Sequence, residues 1–119
     1  RPAPGKSEVM NIVGNVKNKN CVIVDDIIDS GGTIVNAVAA LKEKGAKDVY
    51  VYITHAVLSG EAVKKIEKSQ IKKLITTDTI DNSKKIKNSK KIEIISLAPM
   101  ISEAMKRIAN STSVSSLFK

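Results

Sequence analysis

Apolar residues recur along this chain with two different periods, and the switches between them mark out alternating strands and helices. Cys21 to Val24 is an unbroken apolar, β-branched run closed by Asp25-Asp26. Such a run predicts a strand buried on both faces in the interior of a parallel sheet. Beyond Gly31-Gly32, the residues Ile34, Ala37, Val38 and Leu41 fall at i, i+3, i+4 and i+7 before Gly45, which is one apolar helical stripe. Asp48 to Thr54 is β-branched and aromatic and predicts a strand, Glu61 to Lys68 predicts a helix, and Lys73 to Thr77 another strand. A polar, lysine-rich loop runs from Asp78 to Lys91. Ile92 to Leu97 is strand-like again, and Pro99 opens a helix with Ile101, Ala104, Met105 and Ile108 on one face. The tail from Asn110 to Lys119 is serine-rich, and upstream Glu8 to Val13 is a weaker candidate for an antiparallel edge strand.

Strands separated by helices of this length need crossover connections, which predicts an α/β fold: a mainly parallel sheet of about five strands, with Val22 to Asp26 in its interior and helices on both faces. The chain has 119 residues, 42% of them apolar, enough for one domain and one modest core. A single cysteine, Cys21, rules out an internal disulfide and a cysteine-based zinc site. No apolar run approaches the roughly 20 residues that span a bilayer, and no signal-peptide pattern opens the chain, so a soluble, cytoplasmic protein is expected. His55 is the only histidine; with no second histidine and no carboxylates beside it, it reads as a packing or loop-capping residue, and no metal site is predicted.

Charge changes the picture less than its size implies. The net charge is +8, and the window Lys64 to Lys91 carries +7 of it, with ten lysines against Glu67, Asp78 and Asp81. A nucleic-acid footprint would use such lysines on phosphates, but base stacking needs aromatic platforms, and Tyr50, Tyr52 and Phe118 all lie outside the window. With only two arginines in the chain, a solvated surface is the favoured reading of this patch.

Chemistry concentrates in Val22-Ile23-Val24-Asp25-Asp26-Ile27-Ile28-Asp29-Ser30-Gly31-Gly32-Thr33. Its order is strand, acids, glycine loop, helix, and ligands of open α/β sheets bind where a strand ends and a helix begins. A glycine pair there lets backbone N–H groups approach a phosphate, the helix N-terminus adds unpaired donors, and Ser30 and Thr33 add hydroxyls. Neither a Walker loop nor a dinucleotide fingerprint is present. Asp25 and Asp26 ahead of the loop suit vicinal hydroxyls, because an ionised carboxylate only accepts hydrogen bonds; a ribose 5-phosphate offers both ends. The same residues also fit an acidic turn in which Asp29 or Ser30 merely caps the helix.

The segment VIVDDIIDSGGT resembles the ribose-phosphate signature of type I phosphoribosyltransferase-fold proteins, and in its longer context the ribose-phosphate pyrophosphokinase family. Arg1-Pro2-Ala3-Pro4 is similar to the end of that family's catalytic loop, Glu8 to Val16 to the segment after it, Thr54-His55-Ala56-Val57-Leu58-Ser59-Gly60 to its next loop, and Ser113-Val114-Ser115-Ser116-Leu117-Phe118 to its C-terminal end. The resemblance runs through essentially the whole chain in order.

What the resemblance implies is transfer of pyrophosphate from ATP, with Mg²⁺, to the anomeric hydroxyl of ribose 5-phosphate. Asp25 and Asp26 would hold ribose hydroxyls; Asp29, Ser30, Gly31, Gly32 and Thr33 would cradle the 5-phosphate; Arg1 would be catalytic, stabilising charge on the transferred group. Ser113, Val114, Ser115 and Phe118 would belong to a regulatory site for phosphate groups, with Ser116 standing where the family carries an aromatic. Nucleotide-binding and metal-binding residues would lie outside these 119, in a missing N-terminal domain. The chain is therefore expected to be the C-terminal, ribose-5-phosphate-binding half of a two-domain enzyme that assembles as a homo-oligomer, inactive by itself. A transferase that consumes phosphoribosyl pyrophosphate, and a non-catalytic regulatory or RNA-binding protein of the same fold, are the competing readings.

Overall fold

The structure is a computed structural model that describes residues 12–118. Four strands, β1 (Cys21–Ile28), β2 (Val49–Ala56), β3 (Lys73–Thr77) and β4 (Ile92–Ile95), form one sheet in the order β1-β2-β3-β4. Three helices, α1 (Gly32–Glu43), α2 (Ala62–Lys68) and α3 (Ala98–Ala109), complete the α/β alternation, and a short 3₁₀ turn spans Ser115–Phe118. Every strand pair is parallel. The three expected helices and the four expected strands from Cys21 onward are present. β3 has the expected bounds and β1 runs four residues further than Val24, whereas β4 stops at Ile95 because Leu97 becomes the N-cap of α3.

Strand register explains the core. Ile23, Val51, Leu74 and Ile92 align across all four strands, and Asp25, Ile53, Thr76 and Ile94 form the next row on the same face. Against these rows pack Ile34 and Val38 of α1 and Ala62 and Ile66 of α2, in a single buried cluster. Val38, Val49, Val51 and Leu74 are fully buried.

Two expectations are corrected here. β1 lies at an edge of the described sheet, not in its interior, and the described residues cover only one sheet face. The two corrections have one cause. Crossovers between parallel strands are right-handed, so when the strand order follows the sequence without reversal, successive crossover helices fall on the same face. Helices on both faces require a reversal of strand order, and 1-2-3-4 contains none. The opposite face therefore shows Val22, Val24 (75% exposed), Tyr52 and Ile95, and α3 presents Ile101, Met105 (66% exposed) and Ile108 without burying them. The continuous apolar run of β1 correctly marks a strand with two apolar faces; it carries no information about which face another described element covers. The sheet has four strands, against about five expected. Glu8 to Val13 was the candidate for a further one, but residues 8–11 lie outside the described residues, and Ile12 and Val13 have no regular structure.

The lysine-rich loop is the only crossover without a helix among the described residues, and its own charges tie it down. Glu67, on α2, accepts from the Ser89 hydroxyl and from the N–H groups of Lys90 and Lys91. Lys91 donates to the Ser69 carbonyl, Lys73 to the Lys90 carbonyl at 3.0 Å, and Lys85 to the carbonyls of Val57 and Leu58. Lys73 also pairs with Glu93 at 3.0 Å. Three lysines of the basic window, Lys73, Lys85 and Lys91, thus help hold a long irregular connection against the sheet, where its backbone needs partners.

Replacing Leu74, fully buried at the centre of the aligned row, by Ala is expected to cost about 2–5 kcal/mol in chemical denaturation. Val24→Ala on the bare face should stay within about 0.5 kcal/mol of the parent. Glu67 supplies a pH dependence. Burial raises its pKa, but the Ser89 hydroxyl, the Lys91 and Lys90 N–H groups and the Lys91 charge outweigh this and hold it below the ordinary value. A depressed folded-state pKa contributes stability above the unfolded value that is lost as pH falls through the folded one. Thermal melts from about pH 5 downward should accordingly show a steeper acid decline for the parent than for Glu67→Gln.

Candidate functional site

All four strands point the same way, so their carboxyl ends share one edge of the sheet, and the loops that follow β1 and β2 meet there. β1 ends at Ile28, the chain turns through Asp29, Ser30 and Gly31, and α1 begins at Gly32. Gly31 is the N-cap with φ 86°, in the left-handed region that glycine enters freely. No side chain caps this helix end, so neither Asp29 nor Ser30 plays the capping role that the acidic-turn reading required. The first N–H groups of α1 have no intrahelical partners and face outward with the positive end of the helix dipole.

A cleft of about 240 Å³ opens in front of this end, lined by Asp25, Asp29, Ser30, Gly31 and Thr33 together with the apolar side chains of Ile27, Ile28 and Ile34. Asp25 shares its row with the buried Ile53 and Thr76, on the face that α1 covers, which is why it reaches the cleft. Asp26 follows it directly, and successive strand side chains leave opposite faces; Asp26 is not in the lining, and its N–H donates to Asp25 Oδ1 at 2.8 Å. Gly32 contributes as the first residue of α1, with open space where a Cβ would stand. Arg1 lies outside the described residues. The cleft therefore gathers most of the residues singled out in the sequence, as two acids, a glycine turn, two hydroxyls and a free helix end.

The neighbouring loop, Val57 to Gly60, was not assigned a role by sequence reasoning, yet it holds the glycine turn in place. Ser59 donates through its hydroxyl to Asp29 Oδ1 at 2.5 Å and through its N–H to the Asp29 carbonyl at 3.0 Å. Val57 and Leu58 donate to the Ile28 carbonyl at 2.9 and 3.4 Å. The available signal was topological: in a parallel sheet, the loop after the next strand leaves from the same edge. His55, at the end of β2, shares a hydrogen bond with the Thr79 hydroxyl at 2.8 Å. Asp78 at the same edge accepts from the Leu97 N–H at 2.8 Å; that bond, with the Ser96 hydroxyl, holds its carboxyl below the ordinary range.

The serine-rich tail forms a second, separate cleft of about 290 Å³ with the end of α3, lined in part by Lys106, Arg107, Asn110, Ser113 and Ser116. Arg107 pairs with Glu103 at 3.0 Å, donates to the Ser113 carbonyl at 3.1 Å and bonds the Ser116 hydroxyl. Ser113 and Ser115 share a hydroxyl contact at 2.9 Å, Val114 is half-buried, and Phe118 is exposed. Lys106 and Arg107 went unnoticed in the sequence because only the folding back of the tail brings them to the serines. Among the described residues no three His, Cys, Asp or Glu side chains gather as a metal site, and no helix is long and apolar enough to cross a membrane.

Residues 3–119 match the family model for the phosphoribosyl synthetase-associated domain. A ribose-phosphate pyrophosphokinase of Hyphomonas neptunium is 54% identical over 118 residues, covering 99% of this chain and 38% of the relative. The corresponding protein of Clostridium tetani is 56% identical over 118 residues, covering 99% of the chain and 37% of the relative. The chain thus spans well under half the length of the curated relatives it matches. Among solved structures, the phosphoribosylpyrophosphate synthetase from Mycobacterium smegmatis superposes with a TM-score of 0.81 at 35% identity, over 89% of this chain and 35% of that one.

Gly31→Ala tests the turn. A Cβ at Gly31 would meet Ala62 at 3.9 Å, an ordinary contact, so the penalty is conformational: about 1–2 kcal/mol of lost stability for an L-residue in the left-handed region, measured by chemical denaturation.

Proposed function

From the membership of this chain in the phosphoribosyl synthetase-associated domain family, matched over residues 3–119, we propose that it is the ribose-5-phosphate-binding, C-terminal half of a ribose-phosphate pyrophosphokinase. The observation that carries the reading is the cleft at the end of β1, where an acid and an uncapped, glycine-lined helix N-terminus face the same space. A phosphate dianion accepts hydrogen bonds and suits the free N–H groups of residues 31–33 with the hydroxyls of Ser30 and Thr33. Vicinal ribose hydroxyls donate and suit Asp25; Asp26, on the opposite face of β1, stands outside the cleft lining. Ile27, Ile28 and Ile34 line the remaining wall and exclude water from one side of the sugar.

The reaction is transfer of pyrophosphate from ATP to the anomeric hydroxyl. This half orients ribose 5-phosphate so that the hydroxyl faces the nucleotide, and positioning of this kind supplies much of the rate in phosphoryl-type chemistry. Mg²⁺ bound with ATP would neutralise the nucleotide's phosphates, a role that needs only one or two protein carboxylates, and among the described residues no cluster of three possible ligands gathers. Arg1 precedes the described residues and belongs, in this reading, to the loop that stabilises the transferred group. The tail cleft, lined by Ser113 from the resemblance and by Lys106 and Arg107 from the fold, is the regulatory phosphate site; Val114, Ser115 and Phe118, also given by the resemblance, are not in its lining. The N-terminal half, ATP and further copies of the enzyme are the partners, in the cytoplasm.

Calorimetric or NMR titration of the 119-residue chain with ribose 5-phosphate should give a millimolar-range complex that Asp25→Ala and Gly32→Val each weaken by about tenfold or more, since each charge-assisted bond contributes about 1.5–3 kcal/mol. A coupled assay for AMP with Mg·ATP should read background for the same chain. Sustained AMP formation would show that these residues suffice for turnover, and unchanged binding in both variants would remove the cleft from consideration.

A further inference from the structure

Within the ribose-phosphate cleft, Asp29 is chemically out of place. An ionised carboxylate only accepts hydrogen bonds and so does a phosphate, which means that the Asp29 side chain cannot serve as a donor in a phosphate cradle. Its Oδ1 is instead taken by the Ser59 hydroxyl, thirty residues along the chain. The Ser59 N–H reaches the Asp29 carbonyl at 3.0 Å, and the Ser59 carbonyl accepts from the N–H of Ala62 at 3.1 Å. One residue thus ties the glycine turn after β1 to the start of α2.

The Val57 to Gly60 loop is the fixed member of this pair. Leu58 adopts φ 54° with its side chain buried in the core, a conformation a branched residue keeps only where its surroundings impose it. Lys85 donates to the carbonyls of Val57 at 3.1 Å and Leu58 at 3.4 Å, and the buried Asn82 donates to the Ala56 carbonyl at 2.6 Å. None of these anchors involves Asp29. Behind the turn, the Ala62 backbone lies within 3.9 Å of where a Gly31 side chain would begin. The anchored loop and α2 therefore form a rigid wall against which the turn rests.

We infer that Ser59 is a positioning residue of the ribose-phosphate site: its hydroxyl engages the Asp29 carboxylate, and with it holds residues 29–33 in the arrangement that presents their N–H groups to the anion. Asp29 contributes to the cradle through its backbone and through this tie, not by touching phosphate with its carboxylate. The inference rests on the ribose-phosphate reading of the cleft and adds to it a residue that makes no contact with the ligand.

The test uses the 119-residue chain with ribose 5-phosphate, and with inorganic phosphate as a second probe. Ser59→Ala should weaken both by about five- to tenfold, the worth of one side-chain hydrogen bond, whereas Ser59→Thr, which keeps the hydroxyl, should stay within about twofold. On an Asp29→Ala background, Ser59→Ala should add no further loss, because the two act as one unit. Hydrogen exchange of the residue-59 amide, which is bonded to the Asp29 carbonyl, should quicken in Ser59→Ala while amides in β2 and β3 remain protected, which separates loosening of the turn from loss of the fold. Parent-like affinity and exchange in Ser59→Ala, or equal losses with and without the Asp29 carboxylate, would overturn the inference. Failure of the parent chain to bind ribose 5-phosphate would instead overturn the ligand reading, while the exchange comparison would still decide whether the tie orders the turn.

Discussion

A parallel sheet sends all its strand ends to one edge, and the cleft at the end of β1 depends on that constraint. The loops after β1, β2 and β3 leave side by side, so residues far apart in sequence become neighbours without any long-range design beyond strand pairing. Asp29 and Ser59 meet because Ile28 and Ala56 are partners in the ladder. His55 and Thr79 meet because β3 lies next to β2. The glycine turn needs only φ 86° at Gly31 to set the N-terminus of α1 over this edge, and the edge acquires a positive end with unpaired donors beside a row of acids.

The energetics of the domain are lopsided. One face of the sheet is a packed cluster in which α1 and α2 cover aligned rows of Ile, Val and Leu, and burial of that apolar area is the main favourable term. The other face shows Val22, Val24 and Tyr52 to solvent, and α3 carries a strongly amphipathic pattern with no buried residue. Right-handed crossovers in one direction produce this asymmetry. The basic loop, which has no helix, is held instead by charge: Glu67 gathers three donors from it, and Lys85 and Lys91 reach backbone carbonyls. Of a lysine-rich surface that looks like a ligand footprint in one dimension, Lys73, Lys85 and Lys91 fasten the long crossover, while exposed pairs such as Lys64–Glu61 contribute little.

Local sequence determined the elements. The periodicities of α1, α2 and α3, the β-branched runs of the strands and the glycine turn each express short-range sterics and burial preference, which act within a few residues of the chain. The cleft residues Asp25, Asp29, Ser30, Gly31 and Thr33 were legible for the same reason: they are contiguous, so one strand-turn-helix unit assembles them. Tertiary structure alone decided which faces are covered, since Val22 and Val38 are the same residue type and differ only in what lies opposite. It also separated Asp25 from Asp26 by giving α1 to one side of β1, brought Ser59 to Asp29, and folded the serine tail back on Arg107. These are decided by strand order, crossover handedness and pairing register, and such relations between distant segments leave no periodic trace in either segment taken separately.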